Sequence, residues 1–171
     1  MDYQSFKPIC AMYNESWLGR TLGLKRSGRQ GVIDLRDDEF AVEMKGRSRT
    51  WYPGWVVNAD QIDEYVEQNS PRPMFWAFML YDISRTIPSI TPSQVSSVIK
   101  RRNVWILPWD WIRKFPITRP PTGPYVHAHQ KDLPNGHYFR RYRRQAFRQR
   151  GFIYVPKNCL LEDRLRSHSR V

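Results

Sequence analysis

The stretch Gly31-Val-Ile-Asp-Leu-Arg-Asp-Asp-Glu-Phe-Ala-Val-Glu-Met-Lys45 decides how this chain is read. Gly31 to Leu35 and Phe40 to Lys45 have the apolar alternation of strands, and Arg36-Asp37-Asp38-Glu39 between them is a polar turn. The pattern predicts a hairpin. Residues two apart on a strand share a face, so Glu43 and Lys45 point one way and Phe40, Val42 and Met44 the other, toward a core. A two-residue loop at Asp38 and Glu39 sets Asp34 directly opposite Glu43. Opposed side chains start from Cβ atoms about 4.5–5.5 Å apart, where like charges destabilise the pair. A divalent cation between the carboxylates turns that cost into a binding site. Lys45, one pleat on, brings a mobile ammonium that can orient a water or stabilise developing negative charge. Phosphodiester hydrolysis needs this set. An Asp–Glu pair with a neighbouring Lys also occurs on solvated sheets, so the triplet alone leaves both readings open.

Working outward, residues 8 to 22 are expected to form a helix, with Pro8 in its first turn and Ile9, Tyr13 and Trp17 on one face. A short helix over 60–68 is predicted from Ile62, Tyr65 and Val66, with Asp60 as its N-cap. Met74 to Tyr81 is a continuous apolar run of strand length, preceded by Pro71 and Pro73. Thr91-Pro92-Ser93-Gln94 resembles a capping box and predicts a helix to about Arg102, which Lys100, Arg101 and Arg102 would end. Val104 to Leu107 is a second buried strand, residues 138–150 a basic helix, and Phe152 to Val155 a strand. This order predicts an α/β or α+β chain with a central mixed sheet flanked by helices.

Composition bounds the function. The chain has 171 residues and a net charge of +12, enough length for one domain with a real core. Residues 1–82 hold 10 basic and 12 acidic side chains, and residues 83–171 hold 18 and 4. The positive charge therefore lies in the second half, as in proteins that bind a polyanion. Pro116 to Pro124 is the best boundary, giving a core over 1–115 and a basic extension over 116–171 within one compact unit. Residues 164–171 read as a solvated basic tail. The run Met74 to Tyr81 is far shorter than the roughly 20 residues of a membrane span. No basic stretch leads into an apolar one at the start, so no secretory signal is expected. Cys10 and Cys159, far apart, fit reduced thiols of a cytoplasmic protein.

Four features in order carry a resemblance: Asp34, then Glu43-Met44-Lys45, then Gln61 and Tyr65 on the next helix, then the later strands. Together they resemble the PD-(D/E)XK nuclease superfamily, the restriction-endonuclease-like fold that junction resolvases and RecB-type nucleases share. Gly31-Val-Ile-Asp34 is similar to the Gly-x-x-Asp lead-in of the RecB-type branch. The match covers roughly residues 8 to 110. It departs from the family at Ile33, which stands where a Pro is common, and in its short Asp34-to-Glu43 spacing. An upstream His is not evident. The resemblance implies Asp34 and Glu43 as Mg2+ ligands (with Mn2+ as a substitute), the Met44 carbonyl as a third donor, and Lys45 as the residue that positions the water. It further implies that Gln61 reaches the site and that Glu15, on the first helix, adds a carboxylate.

Grip on DNA is expected from Arg47 and Arg49, beside the Glu-x-Lys strand, and from Arg140, Arg141, Arg144 and Arg148, a stripe if helical. His127 and His129 read as a loop pair without a metal role. The resulting expectation is a stand-alone, Mg2+-dependent endonuclease acting on double-stranded DNA, without a membrane or a small-molecule cofactor. Site-specific cleavage is favoured over junction cleavage by the basic second half with its Trp105, Trp109 and Trp111. Cutting both strands implies a homodimer or higher symmetric oligomer. The alternative is a non-catalytic nucleic-acid-binding protein, in which Asp34, Glu43 and Lys45 are a surface ion-pair cluster.

Overall fold

The computed structural model describes residues 3–27, 33–51, 54–84, 92–134, 138–139, 150–155 and 159–167. In chain order these form α1 (Tyr3–Leu22), β1 (Lys25–Arg26), β2 (Leu35–Arg36), β3 (Ala41–Ser48), β4 (Trp55–Asn58), α2 (Asp60–Asn69), β5 (Met74–Ile83), α3 (Val95–Val98), β6 (Ile99–Pro108), β7 (Ile117–Thr118), β8 (Tyr125–Ala128), β9 (Tyr138–Phe139), β10 (Arg150–Tyr154) and α4 (Leu160–Ser167), with short 3-10 turns between. A seven-stranded mixed sheet has the order β1-β2-β3-β5-β6-β10-β9, and a three-stranded sheet has the order β4-β8-β7. The chain is thus α+β, with a central mixed sheet flanked by helices.

The apolar run at 74–81 explains the layering. Strand β5 lies between β3, which it pairs in parallel, and β6, which it pairs antiparallel. Its alternate residues enter opposite cores. Phe75, Ala77, Met79 and Tyr81 join Phe6, Cys10, Leu18 and Leu22 of α1, whereas Met74, Trp76, Phe78 and Leu80 join Trp55, Val57, Ile62 and Tyr65 of β4 and α2. A strand buried on both faces has no polar side to alternate with. On the second face, Trp76 stacks on Trp109 at 3.9 Å and donates its Nε1–H to the Trp109 carbonyl at 2.8 Å. Trp109 in turn donates to the Ile62 carbonyl of α2 at 2.9 Å. These bonds satisfy the indole N–H groups where no water reaches.

Several local expectations lose to tertiary contacts. Helix α1 begins at Tyr3, with Pro8 inside it rather than in its first turn. Buried Phe6 anchors the turns before the proline to the core. Asp60 is the first residue of α2, not its cap, and its N–H donates to Asn58 Oδ1 at 2.9 Å. The helix expected to reach Arg102 is only α3, and Lys100, Arg101 and Arg102 belong to β6. Arg102 is fully buried, with Nε donating to Asn14 at 2.9 Å and its guanidinium over the Tyr13 and Trp17 rings. Sheet pairing and this cage outweigh the local capping signal.

The C-terminal half is woven into the same body. Strand β8 pairs with β4, and β10 pairs in parallel with β6. The division expected at 115/116 is therefore one along the chain rather than in space. The Pro-rich stretch itself contains β7, paired with β8. The basic helix expected over 138–150 lies mostly outside the described residues, and its two described ends are strands. Part of the expected tail is α4, whose Leu161 is buried in the first core. Cys10 and Cys159 are both free and buried, their thiols pushed up by that burial to about 12 and about 11. Among the described residues, no helix is long and apolar enough to cross a membrane.

Replacing Trp76 by Ala removes the stack and the paired indole from a fully buried position. Urea unfolding followed by circular dichroism should show a loss of about 3–5 kcal/mol.

Candidate functional site

The β2–β3 hairpin forms in the expected register, but its first strand is only Leu35–Arg36. Asp34 lies at a bend before it, Arg36 is in the strand rather than the turn, and Gly31 and Val32 lie outside the described residues. Leu35 faces Val42 and Arg36 faces Ala41, the register of a two-residue turn at Asp38 and Glu39. Asp37 builds that turn. Its Oδ1 accepts the N–H groups of Glu39 and Phe40, each at 2.9 Å, while its own N–H donates to the Phe40 carbonyl. Arg164 of α4 pairs with Asp37 from the other end of the chain, lies 3.7 Å from Glu39 and sits over the Phe40 ring. Burial alone would raise the Asp37 carboxyl, but these N–H donors and the Arg164 guanidinium bring it below its ordinary value.

One step beyond this pairing, Asp34 and Glu43 meet. The Asp34 N–H donates to Glu43 Oε2 at 3.2 Å, and the Met44 N–H donates to Asp34 Oδ2 at 2.9 Å. Lys45 Nζ donates to Glu43 Oε1 at 2.7 Å. Glu43 is only 4% exposed, so this cluster is not a solvated surface patch. A strand residue sends its N–H and C=O to the same side, so the Met44 carbonyl also faces the Asp34 edge.

The electrostatics follow from the burial of two like charges. The Asp34 carboxyl is pushed up to about 8, first by desolvation, then by Glu43 and by Glu15. The Met44 N–H and the Lys45 ammonium pull the other way and do not offset it. Glu15 on α1 thus contributes its field at Asp34, and Arg26 holds it by an ion pair of 2.6 Å. From the other side, buried Tyr65 of α2 has its hydroxyl pushed up by burial and then by Glu43 and Asp34. Gln61 donates to that hydroxyl at 3.3 Å. The structure therefore gathers Asp34, Glu43, Lys45, Glu15, Tyr65 and, through Tyr65, Gln61. Among the described residues, no three His, Cys, Asp or Glu side chains form a ready metal-binding group.

The expected DNA contacts divide. Arg49 is held by Asp82 at 2.7 Å, so its charge is already matched. Arg47 is half-buried on β3, where its charge is felt by His127. Arg140, Arg141, Arg144 and Arg148 lie outside the described residues. His127 belongs to strand β8 rather than a loop, with its ring 4.3 Å from that of His129. Burial, then His129, then Arg47 lower its pKa. The His129 ring accepts the Asp132 N–H, and the Asp132 carboxylate accepts the His129 N–H at 2.8 Å, so His129 is a capping residue. Two partners of the site, Arg26 and Arg164, had no signal in the sequence, because each acts through a contact between separate elements.

The raised Asp34 carboxyl makes stability depend on pH. Between its ordinary value of 3.8 and about 8, the folded protein keeps a proton that the unfolded chain has lost. Stability in EDTA should therefore fall as pH rises through this window. Thermal melting at about pH 5, 6, 7 and 8 should show that fall, and Asp34→Asn should flatten it. No family model matches the chain, and no curated protein or solved structure matches it.

Proposed function

We propose that the protein is a Mg2+-dependent DNA endonuclease of the PD-(D/E)XK kind, with a restriction-endonuclease-like core. The observation that carries this reading is the convergence of the Asp34 and Glu43 carboxylates with Lys45 on one strand pair, with Glu15 adding to the field at Asp34 and Tyr65 lying within the field of both carboxylates. The order also agrees: the Asp precedes β2, the Glu-x-Lys lies on β3, and Gln61 and Tyr65 lie on α2.

The residues fit a hard cation. Carboxylate and carbonyl oxygens suit Mg2+ or Mn2+, and the burial and then the repulsion that lift Asp34 are costs a divalent cation would offset. Asp34 and Glu43 would hold it, with the Met44 carbonyl as a backbone donor. Bound there, it would supply an activated water and charge screening for the phosphate. Lys45 keeps an ammonium beside Glu43, placed to orient the attacking water and to face the charge that grows on the phosphoryl oxygens. Hydrolysis adds water across one P–O ester bond. Gln61 donates to the Tyr65 hydroxyl within α2 and so orients the phenol that lies in the field of the carboxylates. Cleavage of both strands of a duplex then calls for two copies of the chain related by symmetry. The basic second half of the chain, with Trp105, Trp109 and Trp111, favours site-specific over junction cleavage.

The rival reading, a non-catalytic nucleic-acid-binding protein, draws on the direct Lys45–Glu43 ion pair, an arrangement that also serves structure alone. A supercoiled-plasmid assay separates the two. The nuclease converts plasmid to nicked or linear forms with Mg2+ and not with EDTA. Glu43→Ala and Lys45→Ala should each lower that rate by about 100-fold or more, while duplex affinity in Ca2+ stays near wild type. Intact plasmid across varied substrates, with DNA binding retained, would overturn the nuclease.

A further inference from the structure

The strand register places charges that local sequence does not relate. Opposed residues of an antiparallel pair share a face, as do residues two apart on one strand. Lys25 faces Arg36 across β1 and β2, and Arg36 faces Ala41 across β2 and β3. Glu43, Lys45 and Arg47 follow Ala41 at two-residue intervals. The opposite face is fixed independently, because Leu35, Val42 and Met44 enter the core beneath α1. One face of the sheet edge therefore carries Lys25 and Arg36, then Glu43, then Lys45, then Arg47, with Asp34 meeting Glu43 from the bend just before β2. Successive steps in this row are one strand or one pleat, about 5–7 Å. That is the scale on which phosphates recur along a nucleic-acid backbone.

The neighbouring cations make the contrast. Arg26, on the opposite face, is tied to Glu15, and Arg49 is tied to Asp82. Lys25 and Arg36 are exposed, and among the described residues neither takes part in an ion pair. They are positive charges held near the carboxylates, with no ion-pair partner among the described residues.

We propose that Lys25 and Arg36 form a phosphate-contact subsite on the far side of the carboxylate pair from Lys45 and Arg47. One DNA strand then runs obliquely across β1, β2 and β3, with the scissile phosphate over Asp34 and Glu43. The proposal rests on the nuclease reading for that last placement, while the contact itself is read without cleavage. A different use of the same residues is protection of the free edge strand β1 against pairing with another chain.

The test uses the full chain and a fluorescently labelled DNA duplex in Ca2+, with affinity measured from about 50 to 200 mM salt. Lys25→Ala and Arg36→Ala should each weaken binding and reduce the slope of log affinity against log salt by about 1. Arg36→Lys, which keeps the charge, should retain the slope, and so should Lys7→Ala, exposed on α1 across the sheet. Wild-type slopes in both Lys25→Ala and Arg36→Ala would overturn the proposal and leave edge protection. If the slopes fall as expected but Mg2+ gives no nicking, the contact stands and the nuclease reading alone fails.

Discussion

Two carboxylates set against each other across a tight hairpin, Glu43 buried and Asp34 half-buried, constrain everything else at this end of the molecule. Asp34 and Glu43 repel, and neither can turn to water freely, so the fold must hold them together from outside. The Met44 N–H and the Lys45 ammonium meet them directly. Asp37 shapes the turn that sets their register, and Arg164 fastens that turn to a helix from the far end of the chain. A fold that needed only a stable hairpin would place an apolar or opposite-charge pair there. Retaining two carboxylates at such a position raises the Asp34 carboxyl to about 8, and perturbed acids of this kind cluster at functional sites.

The rest of the sheet supplies rigidity. Strand β5 is buried on both sides, and it pairs with β3 along that strand's whole length. Strand β3 therefore cannot shift to relax the Glu43–Lys45 contact without breaking two cores. The crossover from β3 to β5 runs through β4 and α2, and this brings Tyr65, with Gln61 bonded to it, within the field of the carboxylates. Parallel pairing of β3 and β5 requires such a crossover. The same topology that stabilises the core thus delivers the second wall of the site.

Much of this was legible because its causes are local. The alternation of Phe40, Val42 and Met44 against Glu43 and Lys45, with a polar turn before it, gives both the strand and its register. The run Met74 to Tyr81 reads as a strand because a strand with two buried faces is apolar throughout. The misreadings have distant causes. Thr91 to Gln94 resembles a helix start, yet Ile99 to Asn103 pairs with β5, and Arg102 is caged by residues of α1. Arg164 reads as part of a loose basic tail, because its partner Asp37 lies near the other end of the chain. Arg49 reads as a free cation beside the site, whereas Asp82 of β5 already neutralises it. Glu15 is one exposed-looking carboxylate on a helix until the fold brings α1 beside the hairpin.

The central claim is that Asp34 and Glu43 together bind a divalent cation. Isothermal titration of Mn2+ into the full chain, and into Asp34→Asn and Glu43→Gln, tests it most directly. The account predicts saturable binding in the wild type that is lost in both variants. Absence of saturable binding in the wild type, or equal binding in all three proteins, would contradict it.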